Sequence, residues 1–340
     1  MRLNILITGG TGFLGSHTTV ELIQAGHNVV ILDNLSNSSV ESIERIKKIC
    51  NRSPVFVEGD ILNLNFLDSL FKKYQFDSVI HFAGLKAVEE SARLPLLYYR
   101  NNFVGTLTLL TAMEKAGVFN LVFSSSATVY GEQEIMPIRE DALTQTPLNP
   151  YGKTKLMIEN LLSDIARSDE RWSFAVLRYF NPVGAHPSGL MGEVPKGVPN
   201  NLLPYIGHVA IGKLSELNVF GNDYDTEDGT GVRDYIHVMD LVDGHLKALN
   251  ALNELSGFNV WNLGSGRGYS VLELLQAYRE VSKREIPFKF QPRRSGDIGT
   301  CWADISKAAR ELDWRPTKSL TDMVSDAWRW QINNPNGYDQ

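Results

Sequence analysis

The chain has 340 residues, 33 Lys and Arg against 39 Asp and Glu, a net charge of -6 and a pI of about 5.7, so no global basic field exists to hold nucleic acid or an anionic membrane. Cys50 and Cys301 are its only cysteines, which excludes a disulfide framework and a thiolate metal cluster and makes the reducing cytoplasm the expected setting. The length suits one large domain plus a smaller one; no apolar run is long enough to span a bilayer, and no signal-type segment precedes the first strand.

That first strand, Leu3 to Thr8, runs into Gly9-Gly10-Thr11-Gly12-Phe13-Leu14-Gly15 and then an amphipathic segment with Val20, Leu22 and Ile23. Such a turn brings bare backbone to phosphate, while the helix behind it offers unpaired N–H groups and the positive end of its dipole. A second strand, Val29 to Leu32, ends in Asp33. Its carboxylate lies at the spacing that accepts the adenosine ribose hydroxyls of a dinucleotide. Asp33 would repel a 2'-phosphate and Asn34-Leu35-Ser36-Asn37 supply no arginine, so NAD is favoured over NADP.

Short apolar strands continue at Val55–Val57 before Gly59-Asp60, at Val79–Phe82 before Ala83-Gly84, and at Leu121–Phe123 before Ser124-Ser125-Ser126. Alternating with helical patterns, they predict a Rossmann-type, doubly wound parallel sheet in the α/β class. Ligands of such sheets sit beyond the carboxyl ends of the strands, which is where Gly12, Asp33, Asp60, Gly84 and Ser126 fall. His81 reads as a core or strand-end histidine, with no nucleophile or metal partner nearby. Lys86 reads either as a cofactor contact or as a solvated lysine.

Asn149-Pro150 predicts a helix start, with Tyr151 and Lys155 one turn apart. A cation beside a phenol is expected to pull the tyrosine below its usual pKa of about 10, making it a base near neutrality. Ile158, Leu162 and Ile165 share the stripe with Tyr151 and Lys155, so the pair points inward, away from the polar side assigned to Glu159 and Asp164. A strand follows at Phe174–Tyr179. Pro- and Gly-rich sequence from Pro182 to Pro204 marks departure from the nucleotide domain. The expected division is 1–182 for the dinucleotide, with the segment at about 236–266 packing back on it, and 183–340 as a smaller mixed α/β substrate domain. In the later region Ser270-Val271-Leu272-Glu273 is a capping box. Arg293-Arg294 could grip a diphosphate with Asp297 taking a ribose hydroxyl, or could be surface charges.

These strings together resemble the UDP-glucose 4-epimerase family of the extended short-chain dehydrogenases/reductases. The resemblance runs essentially the whole chain, through His81-Phe82-Ala83-Gly84-Leu85-Lys86-Ala87-Val88, Ser124–Gly131, Tyr151–Leu156, Phe220–Tyr224 and Gly231–Val238. It implies that Tyr151 is the catalytic base, that Lys155 holds the NAD ribose and tunes the tyrosine, and that Ser126 hydrogen-bonds the sugar 4-oxygen. Cofactor positions are matched by Gly9, Gly12, Phe13, Leu14, Gly15, Asp33, Asn34, Ser36, Asn37, Ser38, Asp60, Ile61, Phe82, Ala83, Gly84, Lys86, Asn101, Tyr151, Lys155 and Phe180. Substrate positions are matched by Lys86, Ser126, Tyr151, Asn181, Asn201, Leu202, Asn218, Phe220, Arg233, Arg294, Asp297 and Cys301.

The implied reaction is reversible C4 epimerisation of UDP-hexoses: C4 gives hydride to tightly held NAD, the 4-keto sugar turns over, and the hydride returns on its other face. Competing readings are a nucleotide-sugar 4,6-dehydratase, a net oxidoreductase and a non-catalytic NAD-sensing protein. Dehydratase relatives carry an Asp-Glu pair where this chain has Ala127-Thr128, and a sensor would be expected to lose Tyr151 or Lys155. Members restricted to UDP-glucose and UDP-galactose place a tyrosine before Trp302-Ala303-Asp304, where this chain has Cys301. The smaller residue implies room for a 2-acetamido group, and so activity on UDP-GlcNAc and UDP-GalNAc as well; the competing reading is that neighbouring residues close the gap, since volume at one position does not fix a pocket. A homodimer through helices of the first domain is implied by the resemblance alone.

Overall fold

A computed structural model describes residues 2–144, 147–252, 254–294 and 297–338. Ser295 and Gly296, within the arginine-rich string, lie outside the described residues. The chain begins β1 (Asn4–Thr8), α1 (Phe13–Gln24), β2 (Asn28–Asp33), α2 (Glu41–Cys50), β3 (Val55–Glu58), α3 (Leu64–Tyr74) and β4 (Ser78–His81). It continues through α4 (Val88–Arg93), α5 (Pro95–Tyr98), a π-helical turn at Tyr99–Val104, α6 (Gly105–Ala116), β5 (Asn120–Ser126), a 3-10 turn at Ala127–Tyr130, α7 (Pro150–Ser168) and β6 (Ser173–Tyr179). Then come β7 (Asn181–Val183), α8 (Leu202–Ala210), β8 (Leu217–Phe220), β9 (Val232–His237), α9 (Val238–Ala251), β10 (Gly257–Leu263) and β11 (Gly268–Ser270). The last elements are α10 (Val271–Ser282), β12 (Phe288–Gln291), β13 (Thr300–Cys301), α11 (Ser306–Glu311) and α12 (Leu320–Asn333).

The seven-stranded sheet has the order β10-β6-β5-β4-β1-β2-β3. β1 pairs in parallel with β2 on one side and β4 on the other, so Thr8 stands level with both Leu32 and His81. The winding reverses there, which opens a crevice at the strand ends. Central strands β1 and β4 are buried on both faces and read as continuous apolar runs; β3, at the edge, is half exposed. His81 is buried between Thr8 Oγ1 at 2.6 Å and Thr106 Oγ1 at 2.8 Å. Burial first, and the Lys155 charge second, push its pKa down to about 3. It is a neutral core histidine.

Two compact units result: one of 1–131, 142–178 and 242–261, the other of 132–141, 179–241 and 262–340. Segment 132–141 thus leaves the dinucleotide half, and Phe180, expected among the cofactor residues, falls in the second unit. The second unit has a four-stranded sheet in which β11 and β13 flank β9 and β7 also pairs with β9, plus a parallel β8/β12 pair. Its core gathers Leu203 and Ile206 of α8, Leu274 and Tyr278 of α10, and Met323 and Val324 of α12.

Candidate active site

In the first unit the glycine turn is dictated by space. A Cβ on Gly15 would stand 2.3 Å from the Gly9 carbonyl oxygen, and one on Gly9 would stand 2.7 Å from the Ala83 nitrogen. Gly9 also has φ of +71°, which only glycine adopts without cost. The turn therefore lies flat on the β4 exit and aims the first N–H groups of α1 outward; Gly12, the N-cap, has no side chain to cover them. Asp33 closes the far side, accepting from Thr11 N at 3.1 Å, Leu35 N at 2.9 Å and Ser38 Oγ at 2.9 Å. Asp60 accepts from Asn34 Nδ2 at 3.2 Å and Leu62 N at 2.8 Å. A bare-backbone cradle at a helix start, with a carboxylate about 20 residues on, fits a dinucleotide pyrophosphate and its adenosine ribose. The Ile61 side chain packs into the core against Gly105.

At the other side of the crevice Asn149 caps α7 through Gly152 N at 2.8 Å, and Pro150 occupies the first helical position. The helix places Tyr151, Lys155 and Glu159 at successive turns of one face. Lys155 is buried and donates to the Ser124 carbonyl at 2.6 Å, with its Nζ 4.9 Å from the Phe123 ring centre and 5.9 Å from that of Tyr151. Burial depresses its pKa to about 8, against the opposing pull of Glu159. Tyr151 departs from expectation. Burial raises its pKa, against a hydrogen bond with Ser126 and the charge of Lys86, which lower it. Lys86, exposed just past β4, is thus a cation whose charge favours the phenolate. Ser126 Oγ accepts from Thr128 N at 3.2 Å and Thr128 Oγ1 at 3.0 Å.

In the second unit β9 aligns candidate residues on either side: Arg233 stands opposite Cys301 of β13, and Asn181 of β7 stands opposite Tyr235. Arg233 Nη1 donates to the Val232 carbonyl at 2.9 Å. Cys301 is 9% exposed and burial pushes its thiol up to about 11, so it is an inert, small wall. The adjacent arginines separate. Arg293 is bound to Asp223 at 2.8 Å and stacks on Tyr224, whereas Arg294 pairs with Asp297 at 2.8 Å and lies over Phe220. A joint diphosphate grip by both guanidiniums is therefore not what the fold prepares; Arg294 alone stands with Phe220 and Asp297. Asn201 donates to Glu193 at 2.7 Å, and Asn218 accepts from Gln291 at 3.0 Å.

Several participants were not foreseen. Asn102, buried in the π-helical turn, accepts from Leu85 N at 2.8 Å and donates to Leu85 O at 3.0 Å and Thr154 Oγ1 at 3.2 Å. It fixes the loop before Lys86 to α7, while the expected Asn101 bonds to Asn102 itself at 3.0 Å. No periodicity signals a π turn, which inserts one residue in the helical count. Glu159, read as a polar-side residue, is buried against Arg178. The stripe rule treats a carboxylate as solvated, and it misled here because the partner guanidinium comes from the strand that follows, β6, and not from the helix itself.

Among the described residues no helix is long and apolar enough to cross a membrane, and no group of three metal-ligating side chains occurs. The profile of the GDP-mannose 4,6 dehydratase family matches residues 6–327. A UDP-glucose 4-epimerase of Bacillus subtilis is 56% identical, over 98% of each chain. A UDP-glucose 4-epimerase of Stenotrophomonas maltophila, solved with NAD and formylated UDP-arabinopyranose, superposes with TM-score 0.96 at 50% identity, covering 98% of this chain and 99% of that one. The UDP-Glc/GlcNAc 4-epimerase of Campylobacter jejuni superposes with TM-score 0.85 at 37% identity, over 97% and 99%. The match to a dehydratase profile reflects the wider group, for the turn after β5 lacks the acid pair that dehydration needs, and the end-to-end identity lies with the epimerases. The chain belongs to the UDP-glucose 4-epimerase family of the extended short-chain dehydrogenases/reductases.

Proposed function

We propose that the chain interconverts UDP-glucose and UDP-galactose by inverting C4, with NAD as its resident cofactor. The observation that carries this reading is the half-buried Tyr151, hydrogen-bonded with Ser126 and favoured as phenolate by the charge of Lys86, in the unit that holds the dinucleotide cradle. The glycine turn and α1 hold the pyrophosphate, Asp33 with Asn34 to Ser38 the adenosine ribose, and Asp60 and Phe82 the flanks of the cofactor. NAD, when bound, supplies the hydride acceptor and donor for C4. Tyr151 takes the 4-hydroxyl proton as a base and returns it to the 4-oxygen once the sugar has turned over, Ser126 holds the 4-oxygen, and Lys86 stabilises the phenolate. The first unit is thus the NAD-binding domain.

The second unit is the UDP-sugar domain. Arg233, Arg294, Asp297 and Phe220, with Asn181, Asn201, Leu202 and Asn218, hold the UDP, leaving the hexose loose enough to turn over. Because Cys301 is small, the pocket also admits the 2-acetamido group of UDP-GlcNAc and UDP-GalNAc; the Campylobacter jejuni relative named for both sugars supports this range. Exposed Leu96, Leu97, Val104 and Leu107 on α5, the π turn and α6 form an apolar surface suited to a homodimer. The cytoplasm is the natural setting for a chain with two free cysteines.

Incubating the purified protein with UDP-galactose tests the reading. Formation of UDP-glucose without added cofactor, with NAD released on denaturation, is expected. Protein that neither carries NAD nor makes reduced cofactor with UDP-sugar would overturn it, and deoxy-keto product would instead favour dehydration.

A further inference from the structure

Beneath the reacting groups lies a buried ion pair that the epimerisation mechanism above does not use. Glu159 of α7 and Arg178 of β6 are 3% and 5% exposed. Arg178 Nη2 donates to Glu159 Oε2 at 2.7 Å and Nε to Oε1 at 3.1 Å, a two-pronged contact. Each also bonds the segment that carries Ser126. Ser125 Oγ donates to Glu159 Oε1 at 2.5 Å, and Arg178 Nη1 donates to the Tyr130 hydroxyl at 3.0 Å. Lys155, one turn before Glu159, grips the neighbouring Ser124 carbonyl. So α7 is fastened to Ser124 and Ser125 in succession, Tyr130 is fastened to β6, and Ser126 is the hydroxyl left facing Tyr151.

We propose that the Glu159–Arg178 pair is a positioning element for the reaction, locking the Ser124–Tyr130 segment against α7 so that Ser126 and Tyr151 share one geometry, and supplying the counter-charge of Lys155. The inference rests on the epimerase reading. Burying two charges is costly, and replacing such a pair by apolar residues is often neutral for stability. A pair serving structure alone would have no reason to bond the residue on one side of the catalytic serine and the turn on its other side. The groups facing Lys155 are Tyr151 and Glu159 along α7, the neutral His81 of β4, the Phe123 ring and the Ser124 carbonyl of β5, with Arg178 of β6 behind Glu159. Glu159 is the anion in that set, and its attraction opposes the burial that lowers the Lys155 pKa.

The test measures kcat and KM of the holoenzyme for UDP-galactose across the neutral and alkaline range. Glu159→Gln keeps an acceptor for Ser125 but removes the charge. Its alkaline limb is expected to move down by about one pH unit or more, with kcat at neutrality falling about tenfold and KM changing by less than about twofold. Since that variant leaves Arg178 buried without its counter-charge, the double variant Glu159→Gln with Arg178→Gln carries the same measurement should the single one fail to fold. Ser125→Ala is expected to lower kcat without moving the limb. An unmoved limb in the foldable Glu159 variant overturns the electrostatic half, and an unchanged kcat in Ser125→Ala overturns the positional half. Failure of the epimerase reading would show differently, as a wild-type protein that makes no epimer.

Discussion

Lys155 turns its ammonium onto the Ser124 carbonyl, 5.9 Å from the centre of the Tyr151 ring, and the charge of Lys86 also favours the Tyr151 phenolate. The sign of the consequence is fixed. Burial raises the tyrosine pKa and Lys86 opposes it, so removing Lys86 raises that pKa further and less phenolate is present at a given pH. In Lys86→Met the acid limb of kcat should shift upward by about one unit, with activity regained as pH rises. A limb that stays in place would mean that Lys86 acts only on ligand binding.

Tyr151→Phe removes the proton acceptor while keeping the ring. Epimerisation should fall by roughly 10²- to 10⁴-fold, with UDP affinity within about twofold, because the residues proposed to hold UDP are others. Isothermal titration with UDP beside a turnover assay separates the two effects. A comparable loss of UDP affinity would point to misfolding or to a different role for the tyrosine.

The cofactor cradle makes a prediction about space alone. At Gly15 even the smallest side chain would meet the Gly9 carbonyl at 2.3 Å, so Gly15→Ala must displace the turn that brings backbone to the pyrophosphate. Purified Gly15→Ala should lose most of its NAD, measured by release on denaturation, and about 1–3 kcal/mol of stability. NAD content equal to wild type would show that the pyrophosphate is held elsewhere.

The contrast between what was legible in the sequence and what was not has a physical pattern. The parallel sheet, the glycine turn, Asp33, the Asn149 cap and the Ser270–Glu273 capping box depend on local spacing, and each stands where its residues predict. The charges were harder to read. Lys155 turned to a backbone carbonyl, Arg293 to Asp223, and Glu159 to Arg178. Each of these choices depends on a partner brought near by the fold, which spacing along the chain does not encode. The π turn that seats Asn102 was hidden for a related reason, since one inserted residue alters the helical period locally.

The apolar surface on α5, the π turn and α6 predicts an assembly. Leu96 is 85% exposed and Leu97, Val104 and Leu107 are exposed beside it in sequence, an arrangement a monomer rarely leaves open to water. Leu96→Glu with Leu97→Glu would place like charges on both sides of a two-fold interface. Wild type should sediment as a dimer and the variant as a monomer, with the NAD content of each subunit retained. A wild-type protein that is monomeric at micromolar concentration would remove this face as the interface.

Cys301 makes the sharpest demand on substrate range. Its side chain is buried opposite Arg233, where β13 pairs with β9, and its thiol is held protonated, with a pKa of about 11, so it contributes volume rather than charge. Replacing it by tyrosine adds a ring to that position. Turnover of UDP-GlcNAc and UDP-GalNAc should drop by roughly 10- to 200-fold in Cys301→Tyr, the range expected when a pocket loses room for a small group. Turnover of UDP-glucose and UDP-galactose should stay within about threefold, since they lack the acetamido group. The comparison must be made as kcat/KM for the four sugars with both proteins, because a general loss would report only a disturbed β9–β13 pairing. If the ratio of acetamido to hydroxyl substrates is unchanged by the tyrosine, Cys301 does not set the size limit and neighbouring residues do.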